Sequence, residues 1–385
     1  MKMLINLPVV SREGVAIPWL LKFQKFEEKG FEIYLNGGEF IKKIHLVGTD
    51  VYHFNDNFPE ISRMRKIKWT KSRFILHSLW RNMVSLPKVL KAANNFDIIY
   101  TTSAVLDMAL IPFGLKLCRK KIIWVTVFDN VVPMTDPGNK IARFSAWIFF
   151  QIAVIFLKQA DVIFVSHPEL TEYLLRRGFE KEKMIVTGLG LEKEMIAKAQ
   201  FNPEYESDAI FVGRINETKG IYDMLKVLGQ VIKKYPHFRL SIMGDGDETT
   251  KKEFKKEIAR RGLRDNIRFF GFVTGQKKFD ILRSSKCFWF LSVSKSESFG
   301  LSMLEAAATG LPAFCYDLPQ YARIYQNNEV DISPKGDWKT VAQKVLRLFD
   351  GGNFQNERGK MLLEKYDWEK IWNREHEKLI TLVKL

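Results

Sequence analysis

The stretch from Cys287 to Pro312 reads CFWFLSVSKSESFGLSMLEAAATGLP and decides the fold. Its first residues, Cys287–Val293, are nearly all apolar, which predicts a strand buried on both faces of a parallel sheet. A polar loop follows, and Gly300–Thr309 then has the composition of a helix that Gly310 and Pro312 end. A buried strand, a loop and a helix in this order form the repeating unit of doubly wound α/β domains.

The same alternation of apolar strands and helices runs along the whole chain in two successive series. The second series starts after the polar stretch Glu192–Ser207. Near-continuous apolar strands separated by helices predict parallel sheets that are covered on both faces. The predicted strands are Met3–Leu7, Phe31–Tyr34, Ile44–Val47, Asp97–Thr101, Ile122–Val127, Val162–Val165 and Met184–Val186, then Ala209–Val212, Arg239–Met243, Ile267–Phe270, Cys287–Val293 and Ala313–Tyr316.

The length of the chain and this restart predict two domains. A chain of 385 residues with 46% hydrophobic residues is too long for one ordinary core and long enough for two. We predict an α/β fold with an N-terminal Rossmann-like domain at residues 1–195, a C-terminal domain at 196–360 and a helical tail at 361–385. Open α/β sheets bind ligands at the carboxyl ends of their strands, so we expect a ligand in the cleft between the domains.

The cysteines, the N-terminus and the most apolar stretch bear on the cellular compartment. Cys118, Cys287 and Cys315 follow no disulfide or zinc-ligand spacing, which favours a reducing compartment. The segment Met1–Pro8 lacks the apolar length and the cleavage site of a signal peptide. The apolar stretch Phe144–Leu157 is shorter than the ~20 residues that span a bilayer, so we expect a buried or interfacial helix. We therefore expect a cytoplasmic protein, with peripheral association at the inner face of the cell membrane as a further expectation.

The net charge of +16 at pH 7 indicates an anionic partner. Six cations lie between Arg63 and Arg73, and Trp69 stands among them. A basic segment with aromatic residues is typical of proteins that bind the headgroup layer of an anionic membrane, and equally of a solvated helix face with core aromatics. Both interpretations stay open. A nucleic-acid partner is disfavoured because no recognised binding motif accompanies the charge.

Two glutamates flank the predicted start of the helix at Gly300. The backbone N–H groups of Phe299, Gly300 and Leu301 are expected to point out of the helix N-terminus, where they can bind a phosphate or a sugar oxygen. Carboxylates such as Glu297 and Glu305 accept hydrogen bonds from the vicinal hydroxyls of a sugar. Structural interpretations are a helix N-terminal charge for Glu297 and a surface residue for Glu305. The apolar neighbours of Glu305 favour a functional partner.

This segment resembles the donor-site signature of the retaining GT-B glycosyltransferases of family four, the glycosyl transferases group 1. A proline often precedes the first serine in that family, and Val293 stands there in this chain. The resemblance implies that Glu297 contacts the transferred sugar and that Glu305 binds the ribose of the nucleotide. The other residues that the resemblance places at the donor are Ser294, Ser298, Phe299, Gly300 and Leu301.

The resemblance continues upstream at Phe211–Arg214 and Lys219–Gly220. In the family, this strand, loop and helix begin the second domain, and an arginine and a lysine hold the donor diphosphate. By resemblance, Arg214 and Lys219 are assigned that role, and Gly213 is expected at the donor. The assignment also has a physical reason, because two cations stabilise the negative charge that a departing nucleoside diphosphate gains in the transition state.

Three further loops resemble the family less specifically. Gly244 lies in a turn similar to the one after the family's next strand, and we expect it at the donor. Phe272 and Val273 occupy the position where the family recognises the base through its backbone. The family has a glycine-rich loop after its first strand, whereas residues 9–14 contain one glycine, Gly14. Gly14 is a candidate for close approach to the donor phosphates or the acceptor, and equally for a plain turn.

The acceptor side of the first domain departs from the family. The family has a histidine and an aspartate after the strand predicted at Ile122–Val127, where this chain has Phe128 and Asp129. Asp129 at the end of a strand can orient the acceptor hydroxyl or act as a base, or it can be a turn residue before Asn130. Trp368 resembles the start of a tail that crosses back to the first domain, which implies this path for residues 361–385.

These residues together predict a retaining glycosyltransferase of the hexosyltransferase type. It is expected to move a sugar from a nucleotide diphosphate sugar to a hydroxyl of a glycan or lipid-linked acceptor, in the synthesis of a cell-surface polysaccharide or glycolipid. No cofactor and no metal are expected, because Arg214 and Lys219 can stabilise the diphosphate. Two alternatives stay open. One is a GT-B enzyme of another class, such as a nucleotide-sugar epimerase or a sugar-phosphate synthase, and the other is a non-catalytic GT-B-like binding protein.

Overall fold

The computed structural model describes residues 1–7, 22–23, 25–37, 52–53, 71–134 and 140–383. The chain divides into two compact units. Unit 1 contains Met1–Met134, Gly138–Gly188 and Lys370–Leu385, and unit 2 contains Thr135–Pro137 and Leu189–Glu369. The change of unit after Gly188 lies just before the polar stretch in which the sequence predicts the domain boundary.

Within the described residues, unit 1 is built on a parallel sheet of seven strands. The strands are β1 (Lys2–Leu7), β2 (Glu32–Gly37), β3 (Tyr52–His53), β4 (Ile98–Thr101), β5 (Ile123–Phe128), β6 (Val162–Val165) and β7 (Met184–Val186). Their order across the sheet is β3-β2-β1-β4-β5-β6-β7. The strands β2 and β3 thus lie on one side of β1, and the strands from β4 onward lie on its other side, as in doubly wound domains.

The strands of unit 1 are apolar on both faces because both faces are covered. In β1, Leu4 packs into one core cluster, whereas Met3 and Ile5 pack into another. Successive side chains of a strand point to opposite faces, so the two clusters lie on opposite sides of the sheet. The helices of unit 1 with defined bounds are α1 (Lys71–Ala92), α2 (Leu106–Leu117), α3 (Lys140–Leu157) and α4 (Pro168–Leu175). Residues 22–23 and 25–28 are also helical.

Unit 2 contains the second parallel sheet. Its strands are β8 (Ser207–Val212), β9 (Leu240–Met243), β10 (Ile267–Gly271), β11 (Ser285–Phe290), β12 (Ala313–Tyr316) and β13 (Asp331–Ser333). Their order across the sheet is β10-β9-β8-β11-β12-β13. This order again reverses direction once, between β8 and β11, which places a ligand-binding edge at their carboxyl ends.

Helices cover both faces of the unit 2 sheet. They are α5 (Lys193–Ala197), α6 (Ile221–Val231), α7 (Glu248–Arg260), α8 (Gln276–Arg283), α9 (Leu301–Ala308), α10 (Tyr321–Ile324), α11 (Trp338–Gly351), α12 (Glu357–Lys360) and α13 (Leu362–Lys365). Ile210 of β8 packs with α8 and α9 residues in one core cluster, and its neighbour Phe211 packs with α6 and α11 residues in the other. The core of unit 2 therefore also has two layers around one sheet.

The last helix, α14 (Trp368–Val383), contributes to unit 1 from Lys370 onward. Leu379 is fully buried in the core cluster that also contains Phe23. Glu375 forms an ion pair with Lys22, and both side chains are almost completely buried. The sequence predicts a tail of this kind for residues 361–385, whereas the structure keeps α13, within that range, in unit 2.

The predicted α/β class with two doubly wound parallel sheets is confirmed. Two short strands, β3 and β13, were not predicted, and the strand predicted at Ile44–Val47 lies outside the described residues. The apolar stretch predicted at Phe144–Leu157 forms most of α3, which buries Phe150 and exposes Ile155. Among the helices of the described residues, none combines the length and the apolarity that crossing a membrane requires.

Candidate functional site

The carboxyl ends of β8 and β11 bring two of the predicted motifs to one edge of the unit 2 sheet. β8 and β11 are paired in parallel, so the loops that follow them leave the sheet on the same side. The loop after β8 carries Gly213, Arg214 and Lys219, and the loop after β11 carries Ser294 and Glu297. Doubly wound domains bind ligands at this kind of edge, where the strand order reverses.

Lys219 and Glu297 form an ion pair between these two loops. Lys219 Nζ lies 2.5 Å from Glu297 Oε2, and the two side chains are 16% and 10% exposed. Ser292 Oγ donates to the same carboxylate oxygen at 2.9 Å. The side-chain amide of Gln320 donates to the backbone carbonyl oxygen of Glu297 at 2.6 Å. These contacts hold Glu297 from three directions, with its carboxylate beside the ammonium group of Lys219.

The two loops also approach each other closely at Gly220. The Val293 N–H donates to the Thr218 carbonyl oxygen at 2.9 Å. Gly220 has a φ of +73°, and a Cβ atom at this position would lie 1.8 Å from the Leu291 carbonyl oxygen. A side chain therefore has neither the space nor a favourable backbone conformation here. This close contact fixes Lys219 next to the loop that carries Glu297.

The ends of β8, β9 and β10 are joined through the backbone of three glycines. The Gly213 N–H donates to the Met243 carbonyl oxygen at 3.0 Å, and the Gly244 N–H donates to the Gly271 carbonyl oxygen at 2.7 Å. Gly244 has a φ of +145°, and a Cβ atom there would lie 1.8 Å from the Gly213 carbonyl oxygen. Gly213 and Gly244, both predicted at the donor, thus adjoin each other at this edge.

Asp245 and Asp247 stand two residues apart, a spacing that could provide two carboxylate ligands for a metal, but both carboxylates are engaged. Asp247 caps α7 by accepting from the Thr250 N–H at 2.9 Å, and its hydrogen bonds with Thr250 lower its pKa. Asp245 pairs with Lys251 at 2.8 Å. In the part of the chain that the structure describes, no three His, Cys, Asp or Glu side chains are grouped so that they could hold a metal ion.

The loop before α9 presents the N-terminus of that helix at the same edge. Ser294 Oγ accepts from the Ser296 N–H at 3.1 Å. Gly300 has a φ of +67° and precedes the first helical residue, so the helix starts one residue later than predicted. The Gly300 carbonyl oxygen accepts from the N–H groups of Met303 and Leu304. The first N–H groups of a helix have no carbonyl partner within the helix, so the N–H group of Leu301 is available to a ligand.

The side chains around this N-terminus differ in their surroundings. Phe299 is 2% exposed, and its ring lies edge-on to the Tyr366 ring with 5.0 Å between the centroids. Phe299 can therefore offer only its backbone to a ligand. Ser298 and Leu301 are partly buried. All the residues that the resemblance places in this segment lie together, and their roles at a donor stay predictions.

Glu305 is buried and paired, so the interpretation as a surface residue is wrong. The whole residue is 6% exposed and lies in α9 among fully buried apolar neighbours. Lys278 Nζ, from α8, lies 2.7 Å from Glu305 Oε1. Glu192 is close to this pair: burial raises the pKa of Glu192, the Lys278 ammonium lowers it, and the Glu305 carboxylate raises it. The partner that the apolar helix required is thus a lysine of the protein itself.

Among the members of the predicted donor set that the structure describes, Arg214 and Phe272 are exposed side chains. Arg214 is exposed and forms no ion pair with any residue that the structure describes. Phe272 is 55% exposed, and Val273 is partly buried. Both lie directly after β10, whose carboxyl end adjoins Gly244. An exposed arginine and an exposed backbone segment at this edge are free to contact a ligand.

In unit 1, Asp129 lies at the carboxyl end of β5. The side chain is partly buried and accepts a hydrogen bond from Ser103 Oγ at 3.3 Å. Burial raises the pKa of Asp129 to about 6, although its hydrogen bonds lower it. Ser166 Oγ donates to the Asp129 backbone carbonyl oxygen at 3.1 Å. This environment suits an acid or base that changes charge near neutral pH, and the role stays a prediction.

Two further residues near the carboxyl ends of the unit 1 strands, Phe128 and His167, are buried. Phe128 is fully buried between the rings of Phe150 and Tyr173, so it replaces the histidine of the family with a core side chain. His167, which directly precedes α4, is 4% exposed, and burial lowers its pKa to about 4. Gly14 and most of the basic segment between Arg63 and Arg73 lie outside the described residues.

Sequence reasoning missed the residues that hold the two glutamates. Ser292, Gln320 and Thr218 hold the Glu297 loop, and Lys278 holds Glu305. Ser292 lies only two residues before Ser294, so its place at a strand end was available as a signal. Lys278 and Gln320 come from separate helices or turns, and no local pattern marks them.

Comparison with known proteins identifies the C-terminal half of the chain. Residues 192–361 match the family of glycosyl transferases group 1. An uncharacterized glycosyltransferase of Methanocaldococcus jannaschii is 26% identical over 275 residues, which are 65% of this chain and 63% of that protein. The phosphatidyl-myo-inositol mannosyltransferase of Mycobacterium tuberculosis is 30% identical over 178 residues, 44% of this chain and 46% of that protein. The chain thus spans less than two thirds of the length of these curated relatives.

Among solved structures, HepE of Anabaena in complex with UDP and glucose has the same fold. Its TM-score is 0.75 at 15% sequence identity, and the alignment covers 99% of this chain and 100% of HepE. At this identity the likeness concerns the fold alone. The predicted GT-B class, two Rossmann-like domains in tandem, is confirmed.

Proposed function

We propose that this chain, which belongs to the glycosyl transferases group 1 through residues 192–361, is a retaining glycosyltransferase that uses a nucleotide diphosphate sugar. It transfers a hexose to a hydroxyl group of an acceptor. The observation that carries the proposal is the pair of Lys219 and Glu297 beside the N-terminus of α9. This arrangement joins a cation, a carboxylate and backbone donors at one sheet edge, and a sugar diphosphate needs all three.

The donor diphosphate is bound by Lys219, by Arg214 and by the backbone N–H groups at the start of α9. Arg214 offers a planar pair of donors and Lys219 a compact charge. Glu297 accepts from hydroxyl groups of the sugar, since Ser292 and Gln320 hold it next to Lys219. Glu305 accepts from the ribose, and the backbone at Phe272 and Val273 contacts the base. Each role follows from the family resemblance and from the position of the residue at this edge.

Transfer breaks the bond between the anomeric carbon and the diphosphate oxygen and forms a bond to the acceptor oxygen on the same face. The diphosphate leaves with the bonding electron pair. The acceptor hydroxyl gives up its proton to this diphosphate, or to the carboxylate of Asp129 where Asp129 acts as the base. Lys219 and Arg214 stabilise the negative charge that develops on the leaving group. Two fixed cations supply this stabilisation without a divalent metal, so we propose that the reaction needs neither a metal nor another cofactor.

The acceptor is a glycan or a lipid-linked saccharide, and the product belongs to a cell-surface polysaccharide or a glycolipid. The M. tuberculosis relative is named as a mannosyltransferase that acts on phosphatidyl-myo-inositol, a lipid, which supports an acceptor at a membrane. Asp129 orients the acceptor hydroxyl or acts as its base. With a pKa of about 6, its carboxylate is mostly ionised at neutral pH.

A basic surface on α7 supports peripheral binding at the anionic, cytoplasmic face of the membrane. The cations of this surface that form no ion pair with any described residue are Lys252, Lys255 and Lys256 on α7 and Arg264, which follows the helix. They line a surface pocket of about 630 Å³ together with Ala259 and with Glu248 and Lys251, which form an ion pair. Phe269 of the edge strand β10 is 39% exposed, and Lys255 Nζ lies 5.7 Å from the centre of its ring. Cations beside an exposed aromatic ring suit phospholipid headgroups.

Vesicle binding tests this membrane proposal. We expect the full chain to sediment with vesicles of phosphatidylglycerol and phosphatidylcholine, but not with phosphatidylcholine alone. About 0.5 M salt should release the chain, because it shortens the Debye length to a few Å and screens the attraction between the cations and the headgroups. The test variant changes Lys252, Lys255, Lys256 and Arg264 to glutamine. The matched control changes four other exposed lysines of unit 2 to glutamine: Lys198, Lys233, Lys335 and Lys339. Equal loss of binding in both variants contradicts a specific role of the α7 surface.

A thermal-shift screen tests the proposed donor. UDP, GDP and ADP sugars are added to the full chain, and the one that is the donor raises the unfolding temperature by mass action. We expect Lys219→Ala to lose this shift, which is measured from the variant's own unfolding temperature without ligand. That temperature itself should fall, because Glu297 loses its counter-charge while its side chain is only 10% exposed. Stabilisation by none of the three nucleotide sugars would contradict the proposal. An epimerase or a synthase is distinguished afterwards by whether nucleoside diphosphate release depends on an acceptor hydroxyl.

A further inference from the structure

The partner of Glu305 is a lysine that neither the sequence motif nor the comparisons single out. Lys278 Nζ lies 2.7 Å from Glu305 Oε1, and the two side chains are 15% and 9% exposed. Lys278 belongs to α8 and Glu305 to α9, so the pair joins two helices on the same side of the unit 2 sheet. The Lys219–Glu297 pair of the same unit is buried to a similar degree.

The contact uses one oxygen of the carboxylate and leaves the other. Glu305 Oε1 accepts from Lys278, whereas Oε2 accepts no hydrogen bond from any residue that the structure describes. The fully buried polar atoms that lack a hydrogen-bond partner do not include Oε2, so this oxygen is accessible. A carboxylate that is fixed through one oxygen and open at the other can accept from a ligand hydroxyl in a defined direction.

A second carboxylate lies close to the same ammonium. Glu192 is partly buried, and its pKa is raised first by burial and further by the Glu305 carboxylate, while the Lys278 ammonium lowers it. The Lys278 ammonium therefore attracts two carboxylates in a poorly hydrated place. Without the ammonium, Glu192 and Glu305 would repel each other, and the side chain of Glu305 would lose both its anchor and its orientation.

We propose that Lys278 is a positioning residue for donor recognition, which holds Glu305 so that its second oxygen accepts a hydrogen bond from the nucleotide ribose. The inference rests on the proposed function, since it takes Glu305 as the ribose-binding carboxylate. Lys278 itself does not touch the reacting atoms. Its removal is expected to weaken the recognition of the ribose hydroxyls and to leave the contacts to the diphosphate unchanged.

A comparison of two nucleotides isolates this effect from a general loss of structure. The probes are the nucleoside diphosphate that the wild-type chain binds best among UDP, GDP and ADP, and its 2′,3′-dideoxy counterpart, which lacks the ribose hydroxyls. The variants are Lys278→Met, which removes the charge, and Lys278→Arg, which keeps it. The matched control is Lys277→Met, an exposed lysine next to it on the same helix. Affinities are measured by titration calorimetry on the full chain.

We expect the wild-type chain, Lys278→Arg and Lys277→Met to prefer the ribonucleotide. In Lys278→Met, the affinity for the ribonucleotide should fall by roughly tenfold or more, which is the usual worth of a hydrogen bond to a charged group. The affinity for the dideoxynucleotide should stay within about twofold, because it never used Glu305. The preference for ribose thus disappears in one variant only. Should Lys278→Met fold poorly, Lys278→Gln replaces it, with the same expectation.

Two results overturn the inference and are distinct. If the wild-type chain prefers the ribonucleotide and Lys278→Met keeps that preference, or loses affinity for both probes equally, Lys278 does not position Glu305, and the proposed function is untouched. If the wild-type chain binds none of the three nucleoside diphosphates, the proposed donor site fails, and the inference fails with it.

Discussion

Replacement of Glu375 by glutamine tests how the C-terminal helix stabilises unit 1. Glu375 and Lys22 form an ion pair with side chains only 2% and 3% exposed. Burial is the largest influence on both groups, and it raises the pKa of Glu375 and lowers that of Lys22. In Glu375→Gln, the ammonium group of Lys22 loses its counter-charge but stays buried, 5.3 Å from the centre of the Tyr100 ring. Removal of one partner of such a pair costs about 3–5 kcal/mol.

The expected loss lies at the lower end of that range, because the aromatic rings around Lys22 retain part of the attraction for the cation. A loss of about 3 kcal/mol lowers the unfolding temperature of a unit of this size by roughly 6–12 °C. The unfolding of unit 1 is followed by hydrogen exchange of its own peptides, since two units need not unfold together. This readout assigns the loss to unit 1 rather than to the chain as a whole.

The matched control for this prediction is Glu28→Gln. Glu28 pairs with Lys25 at 2.7 Å, but those side chains are 49% and 43% exposed, so we expect a change below about 0.5 kcal/mol. A double variant, Lys22→Met with Glu375→Leu, removes both charges and should recover most of the lost stability. A Glu375→Gln variant that is no less stable than Glu28→Gln would refute the reasoning.

Three further predictions concern the site and its surroundings. Gly220→Ala should destabilise unit 2 by more than about 1 kcal/mol in chemical denaturation, because the new Cβ would lie 1.8 Å from the Leu291 carbonyl oxygen. The control, Gly229→Ala within α6, should be neutral or stabilising, because the space around Gly229 is open. If Asp129 acts as the base, the transfer rate should rise as the pH increases through about 6, and Asp129→Asn should be slow and without that step. Burial lowers the pKa of His167 in the folded state from 6.5 to about 4, so its contribution to stability is present above pH 6.5 and is lost as the pH falls toward 4. In His167→Gln, the free energy of unfolding from denaturation curves should therefore change less with pH between 4 and 6.5.

The strands could be predicted from the sequence where each is a compact apolar run. β5 was predicted at Ile122–Val127 and is found at Ile123–Phe128, because a strand covered on both faces needs apolar side chains at every position. β3 and β13 have two and three residues, which are too few to show a run. β13 also contains Asp331 and Ser333, so it exists through its pairing with β12 rather than through composition.

Helix starts were harder to predict than helix faces. The start of α7 at Glu248 is one example, because its first turn is polar and carries no apolar periodicity. Asp247 was the available signal, since its carboxylate accepts from the Thr250 N–H as an N-cap does. At Gly300 the prediction was one residue early, because the positive φ of that glycine places it outside the helix.

The members of the candidate site could be predicted, but their pairing could not. Lys219 and Glu297 are 78 residues apart, and Lys278 and Glu305 are 27 apart. The fold brings each pair together, and the sequence does not indicate which lysine meets which glutamate. The motif gave the carboxylates as ligands of a sugar and a ribose, whereas the structure adds that each is already bound to an ammonium group of the protein.

The most direct test of the proposed function is acceptor-dependent release of nucleoside diphosphate from a nucleotide sugar. The full chain, Lys219→Ala and Glu305→Ala are incubated with the donor that the thermal-shift screen identifies and with lipid-linked or glycan acceptors, without added metal. We predict that the wild-type chain releases nucleoside diphosphate only when an acceptor is present, and that both variants stay folded and lose turnover. Turnover at the wild-type rate in both variants would contradict the donor site at the carboxyl ends of β8 and β11.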